Sequence, residues 1–157
     1  MLRKIILSAL LILIPAIPSS AAVTEADAKY SQDVVALTQE FGTVATDWST
    51  AVSNPPTFAI GGKYNTWKKG AVSATTKMQA TVAKFSALKA TPGFAKSDAL
   101  LKKACKEYTS GLTSYIQALN KNDKKLADKA TTALNTAGKS YLAWTTAFAA
   151  DAKALNG

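Results

Sequence analysis

Histidine is absent from this 157-residue chain, and cysteine occurs once, at Cys105. Without histidine there is no imidazole to act as a general base near neutral pH. A His-ligated haem, a ferritin-like di-iron centre and the usual zinc sites are excluded on the same ground. A lone cysteine rules out an intrachain disulfide and the CxxCH haem motif. Arginine occurs only at Arg3, so the rest of the chain lacks the planar fork that reads phosphates and bases bidentately. Eight glycines and five prolines are too few for a collagen-like or Pro/Gly-rich disordered chain. No stretch alternates apolar and polar residues between hairpin turns, so strands are not expected. Nucleophile-elbow, SxxK, P-loop, EF-hand and dinucleotide-binding motifs are all missing.

Alanine is the most numerous residue, with 30 copies. Hydrophobic residues make up 48% and charged ones 18%, a balance that suits a packed globule rather than a disordered polyelectrolyte.

The first segment reads as an address. Arg3 and Lys4 precede a mostly apolar run from Ile5 to Ile17, and Ser19, Ser20, Ala21 and Ala22 follow. A basic start, a short apolar run and a small-residue cut site predict a secretory signal peptide over 1–22, cleaved after Ala21 or Ala22. The run falls short of the roughly 20 residues a spanning helix needs, and Pro15 and Pro18 interrupt it; an uncleaved anchor is the competing reading. The expected mature chain, 23–157, forms one domain that does not span a membrane and is secreted, either extracellular or periplasmic.

Four helices are expected in that domain, at about 24–53, 66–89, 92–120 and 123–155. Thr24 can cap the first, with Glu25 and Asp27 in its first turn. Its apolar positions Tyr30, Val34, Leu37, Phe41, Val44, Trp48 and Ala51 step by four and three, as a heptad seam does. Asn54-Pro55-Pro56 ends it. Trp67, Ala71, Ala74, Met78, Thr81, Phe85 and Leu88 repeat the rhythm, widened by Val82, until Thr91-Pro92-Gly93 breaks it. The third seam is Leu101, Cys105, Tyr108, Leu112, Tyr115 and Leu119. The fourth is Leu126, Ala130, Leu134, Ala137, Tyr141, Trp144, Phe148 and Leu155. Short connections after the second and third helices imply antiparallel neighbours, and hence an all-α, up-down-up-down four-helix bundle. Three helices with one sharply bent is the structural rival.

Charge is unevenly distributed. The expected mature chain has 17 lysines and 10 acids, a net of +7. Its first helix carries five acids against Lys29, whereas 63–89 carries six lysines and no acid. An acidic helix and a basic one can lie side by side without repulsion, although each exposed pair adds little.

Chemistry is sparse. Asp33, Glu40 and Asp47 stand seven apart, about 10 Å along a helix, too far to share a metal or a proton. No catalytic, cofactor-binding or metal-ligating residues are assigned. Lys102, Lys103 and Lys106 flank Cys105 and can lower a thiol pKa. Its seam position favours burial, and an intermolecular disulfide stays open as the alternative. The 54–65 connection is the one long loop expected, and such loops on rigid bundles carry binding sites. Phe58, Ile60 and Tyr64, with Lys63, Lys68 and Lys69, are the candidate partner contacts. Phe58 and Ile60 can equally fold back over the end of the bundle. The expected function is a non-enzymatic binding or scaffolding module at the cell surface or in the periplasm. Its partner is left unknown: anionic surface polymers held weakly and self-association are the candidates, the lysine excess serving solubility is the competing reading, and no sequence-specific nucleic acid binding is expected. Self-assembly into an extracellular structural protein is the second reading.

Overall fold

Apolar side chains recurring every three or four residues give each segment a stripe that water solvates poorly, and packing the stripes together removes them from water. The computed structural model describes residues 23–56 and 61–156 of the chain. These form four α-helices and no strand. Helix α1 is Glu25–Val52, α2 is Gly62–Ala87, α3 is Ala95–Lys121 and α4 is Lys124–Leu155, with a 3-10 turn at Pro92–Phe94 before α3. The expected signal peptide lies outside the described residues.

Each terminus has a local cause. Thr24 and Asp27 form a reciprocal capping box at the start of α1, satisfying two of the backbone N–H groups that a helix start leaves unpaired. Asn54 adopts a left-handed backbone conformation (φ 48°) just past α1, where Pro55 follows. Asn122 closes α3 in the same conformation (φ 52°), and the Asp123 N–H then reaches back to the Ala118 carbonyl at 2.9 Å. Asp123 immediately caps α4 by accepting from the Leu126 N–H at 3.0 Å. Two residues therefore suffice to join α3 to α4.

Helix α2 begins at Gly62, earlier than the start expected at about residue 66. Gly61, at φ 100°, turns the chain into it. The first turn tolerates glycine because its N–H groups have no intrahelical partner in any case. Tyr64, three residues before Trp67 and seven before Ala71, extends the apolar stripe by one turn. It is only 1% exposed, so packing outweighs the weak helix propensity of the paired glycines. Lys63 and Tyr64 thus belong to a helix and not to the loop.

Burial follows the expected seams with one-residue departures in α1 and in α2, where Thr75 is buried and Ala74 only partly so. In α1 the buried set includes Tyr30, Val34, Phe41 and Trp48, but then Ala45 and Val52 rather than Val44 and Ala51. Val34, Phe41 and Trp48 keep their seven-residue spacing, and the step from Phe41 and Trp48 to the next buried residue is four instead of three, the two steps that bracket the 3.6-residue period. All six expected α3 seam residues are buried.

The interior is rich in rings. Phe41 of α1 lies 4.9 Å from Tyr141 of α4, 5.9 Å from Phe85 of α2 and 5.4 Å from Tyr108 of α3, measured between centroids. One side chain thus touches rings on all three other helices. Tyr30, Phe94 and Phe148 form a second cluster, with Phe94 stacked on Phe148 at 5.0 Å. Trp48 is fully buried, and its indole N–H donates to Thr75 Oγ1 at 3.0 Å.

Candidate binding surface

Helices α2 and α3 pack against each other, and residues 62–121 carry eleven lysines against two acids, Asp98 and Glu107. The remaining expected mature residues carry six lysines and eight acids. The whole excess of positive charge in the expected mature chain therefore falls on two adjoining helices and the connection between them.

Some of these lysines have structural partners. Lys84 spans both carboxylate oxygens of Glu40 at 2.8 Å, and Thr81 donates to Oε1 at the same distance. The Lys84 bond is the main reason the Glu40 carboxyl sits below the ordinary carboxylate value. This contact ties acidic α1 to basic α2. Lys102 donates to the carbonyls of Ser86, at 2.9 Å, and Leu88, at 2.7 Å. There it caps the end of α2, where carbonyls lack helical partners. Lys63, Lys69, Lys77, Lys89, Lys96, Lys103, Lys106 and Lys121 are exposed.

Near the start of α2 the two helices leave a shallow open groove of about 290 Å³, lined by Lys68, Lys69, Val72, Ser73 and Asn120. Lys68 donates to the Asn122 side-chain oxygen at 3.3 Å, and its ammonium stands 5.7 Å from the centre of the Tyr64 ring. Lys68 is thus held across the mouth of the groove, while Lys69 is free to reach out. Further along the seam, Gln79 donates to Thr113 Oγ1 at 3.0 Å.

Of the residues expected to meet a partner, Lys68 and Lys69 line this groove together and Lys63 is exposed one turn away. Tyr64 does not present itself to a partner: it is buried, with its ring 5.7 Å from Trp67. The cause is its place on the α2 stripe. Phe58 and Ile60 lie outside the described residues. Val72, Ser73 and Asn120 were not singled out by sequence. Ser73 and Asn120 are ordinary surface residues in isolation, and only the α2–α3 packing makes them neighbours.

The titratable interior offers little chemistry. Burial raises the Cys105 thiol pKa, and this outweighs the nearby Lys102. The flanking lysines therefore do not activate it. Burial also pushes Tyr115 and Tyr141 up to about 12. Among the described residues, no group of three or more acidic or cysteine side chains is arranged to hold a metal. Nor is any helix there long and apolar enough to cross a membrane.

No family model, curated protein or solved structure matches the chain. The functional reading therefore rests on the charge and shape of this surface.

Proposed function

We propose that the chain is an exported, non-enzymatic, up-down-up-down four-helix bundle that binds or scaffolds at the cell surface or in the periplasm. Its α2–α3 side meets anionic polymers. The observation that carries this reading is the eleven-to-two excess of lysine over acid across residues 62–121, two packed helices and the connection between them, with a groove on their seam. A field of that sign attracts polyanions and raises their encounter rate.

The topology is supported by contacts that run in opposite directions on each helix pair. Trp48 meets Thr75 while Glu40 meets Thr81. Lys68 meets Asn122 while Gln79 meets Thr113. The Ser97 N–H meets Asp151, while Gly111 lies against Leu134. Tyr30 meets Phe148 while Phe41 meets Tyr141. Export rests on the sequence pattern of residues 1–22.

Retention on an immobilised polyanion tests the binding reading. The mature protein should be retained at low ionic strength and released as salt rises, because lysine contacts with a polyanion release counterions. Failure to be retained at low salt would remove the proposal. A second reading, self-association, is favoured by Leu142, a large apolar side chain on α4 that is 47% exposed. Light scattering over a range of concentrations separates the two: a defined small species removes assembly, and concentration-dependent polymers favour it.

A further inference from the structure

The α2–α3 seam is more than a positive surface. Ser73, Gln79, Thr113 and Asn120 stand along it as neutral hydrogen-bonding groups. Lys68 and Lys69 lie at one end and Lys102 toward the other. We infer that this seam takes a linear acidic polysaccharide, a sugar polymer bearing carboxylates along its length. The inference rests on the anion-binding reading above and names the class of polymer.

Reach is the first argument. From Lys69 at the groove to Ser86, where Lys102 lies, is about 26 Å along α2 at 1.5 Å per residue. A compact anion such as a single phosphate meets only two or three of the lysines at once, so a partner that uses the whole field must be extended.

Surface chemistry is the second. Single-stranded nucleic acid held without sequence preference is gripped by exposed rings on which bases stack, whereas a duplex gripped by its phosphates needs no rings and is left to the experiment. An interfacial membrane helix needs bulky apolar side chains facing the lipid. Among the described residues the exposed large apolar side chain is Leu142, on α4 and not on α2 or α3. Tyr64, the ring nearest the groove lysines, is buried.

Hydrogen bonding is the third. Sugar hydroxyls donate and accept, and the seam offers both functions. Gln79 uses its amide N–H to reach Thr113, which leaves its side-chain oxygen to accept from a hydroxyl. Asn120 and Ser73 offer a carboxamide and a hydroxyl beside Lys68 and Lys69. The lysine ammonium, a mobile point charge with three donors, adapts to carboxylates spaced along a flexible chain.

Titration calorimetry on the mature protein provides the test, with a polygalacturonate oligomer, inorganic polyphosphate of matched charge, duplex DNA and anionic phospholipid vesicles as probes. The oligomer should bind most tightly. Lys69→Ala should weaken the oligomer and polyphosphate alike. Asn120→Ala and Gln79→Ala should each weaken the oligomer by about fivefold, the value of one hydrogen bond, and leave polyphosphate unchanged. Unaltered helicity by circular dichroism confirms that these exposed substitutions leave the fold intact. Polyphosphate, DNA or vesicles binding as tightly as the oligomer, or no effect of Asn120→Ala and Gln79→Ala, overturns the polysaccharide assignment and leaves the anion-binding reading standing. Absence of binding to every probe overturns both.

Discussion

Asp27 accepts from the Thr24 N–H at 3.0 Å, from the Thr24 hydroxyl at 2.6 Å and from the Thr91 hydroxyl, although only 5% of its surface is exposed. One carboxylate thereby closes the first turn of α1 and ties it to the turn before α3. Those hydrogen bonds, Thr24 first, hold its pKa below the ordinary 3.8. A carboxyl with a depressed folded-state pKa contributes stability that is present above its unfolded value and lost as pH falls through the folded value. Asp27→Asn should therefore lower stability at pH 7 by ~2 kcal/mol, a loss typical for hydrogen bonds to a charged group. The gap from the unaltered protein should narrow as pH drops below about 4. Urea unfolding at a series of pH values checks both parts, and a gap that stays constant to pH 2 would contradict the assignment. Cys105 makes a second residue-scale case. It is 5% exposed and its pKa is raised by burial. A thiol reagent should label it slowly in the native protein and fast in denaturant. Rapid native labelling, or a disulfide-linked dimer on a non-reducing gel, would contradict its place in the core. The seam spacing anticipated that burial. The three nearby lysines pointed the other way, because sequence proximity does not say that Lys102 turns aside to the end of α2.

At the scale of helices, two contacts set how closely neighbours approach. A Cβ placed on Gly111 of α3 would fall 2.8 Å from Leu134 Cδ2 and 2.9 Å from its Cγ on α4. The two helices pack closely there because glycine leaves that space to leucine. Gly111→Ala should cost ~1–3 kcal/mol by overpacking. Combining it with Leu134→Ala should give less than the sum of the two single losses, since one removes the clash that the other creates. Additive losses in denaturant unfolding would show that the clash is not what destabilises Gly111→Ala. Between α1 and α2 the fixed point is the Trp48 indole N–H on Thr75. Thr75→Val keeps the shape and removes the acceptor, so a buried donor is left unpaired at ~1–3 kcal/mol. A Thr75→Val protein as stable as the original would show that the indole finds another partner. Neither contact was legible in advance. Gly111 reads as a blemish in a good helix, and Thr75 lies one residue away from Ala74 on the expected seam. The four-three rhythm does identify which face of each helix turns inward, but a glycine's role depends on what stands opposite it.

Across the molecule, positive charge stands at two places in the sequence. Both arginine and lysine precede the first apolar run, and the excess positive charge of the remainder lies between residues 62 and 121. Intact-mass measurement of protein recovered through its native secretion route should give a chain that begins at Ala22 or Val23. A mass that includes the first 20 residues would indicate an anchor in place of a signal peptide. Acidic α1 lies against α2, yet among the described residues a single ion pair, Lys84 with Glu40, joins them directly. The other ion pairs are four residues apart within one helix. Buried rings and the Trp48–Thr75 bond, rather than matched surface pairs, therefore hold α1 in place.

Helix number, helix faces and the aromatic content of the core were legible from residue order, because a 3.6-residue period and local caps act within a few turns of chain. The excess of lysine and the lack of histidine were legible for the same reason: composition needs no geometry. Packing brought Asn120 beside Lys68 and Lys69, turned Tyr64 inward, slipped the α1 seam to Ala45 and Val52, and gave Gly111 its function against Leu134. Each of these joins residues far apart in the chain or depends on how one helix rotates against another. No local pattern encodes such a contact, since the free energy that decides it comes from burying both partners at once.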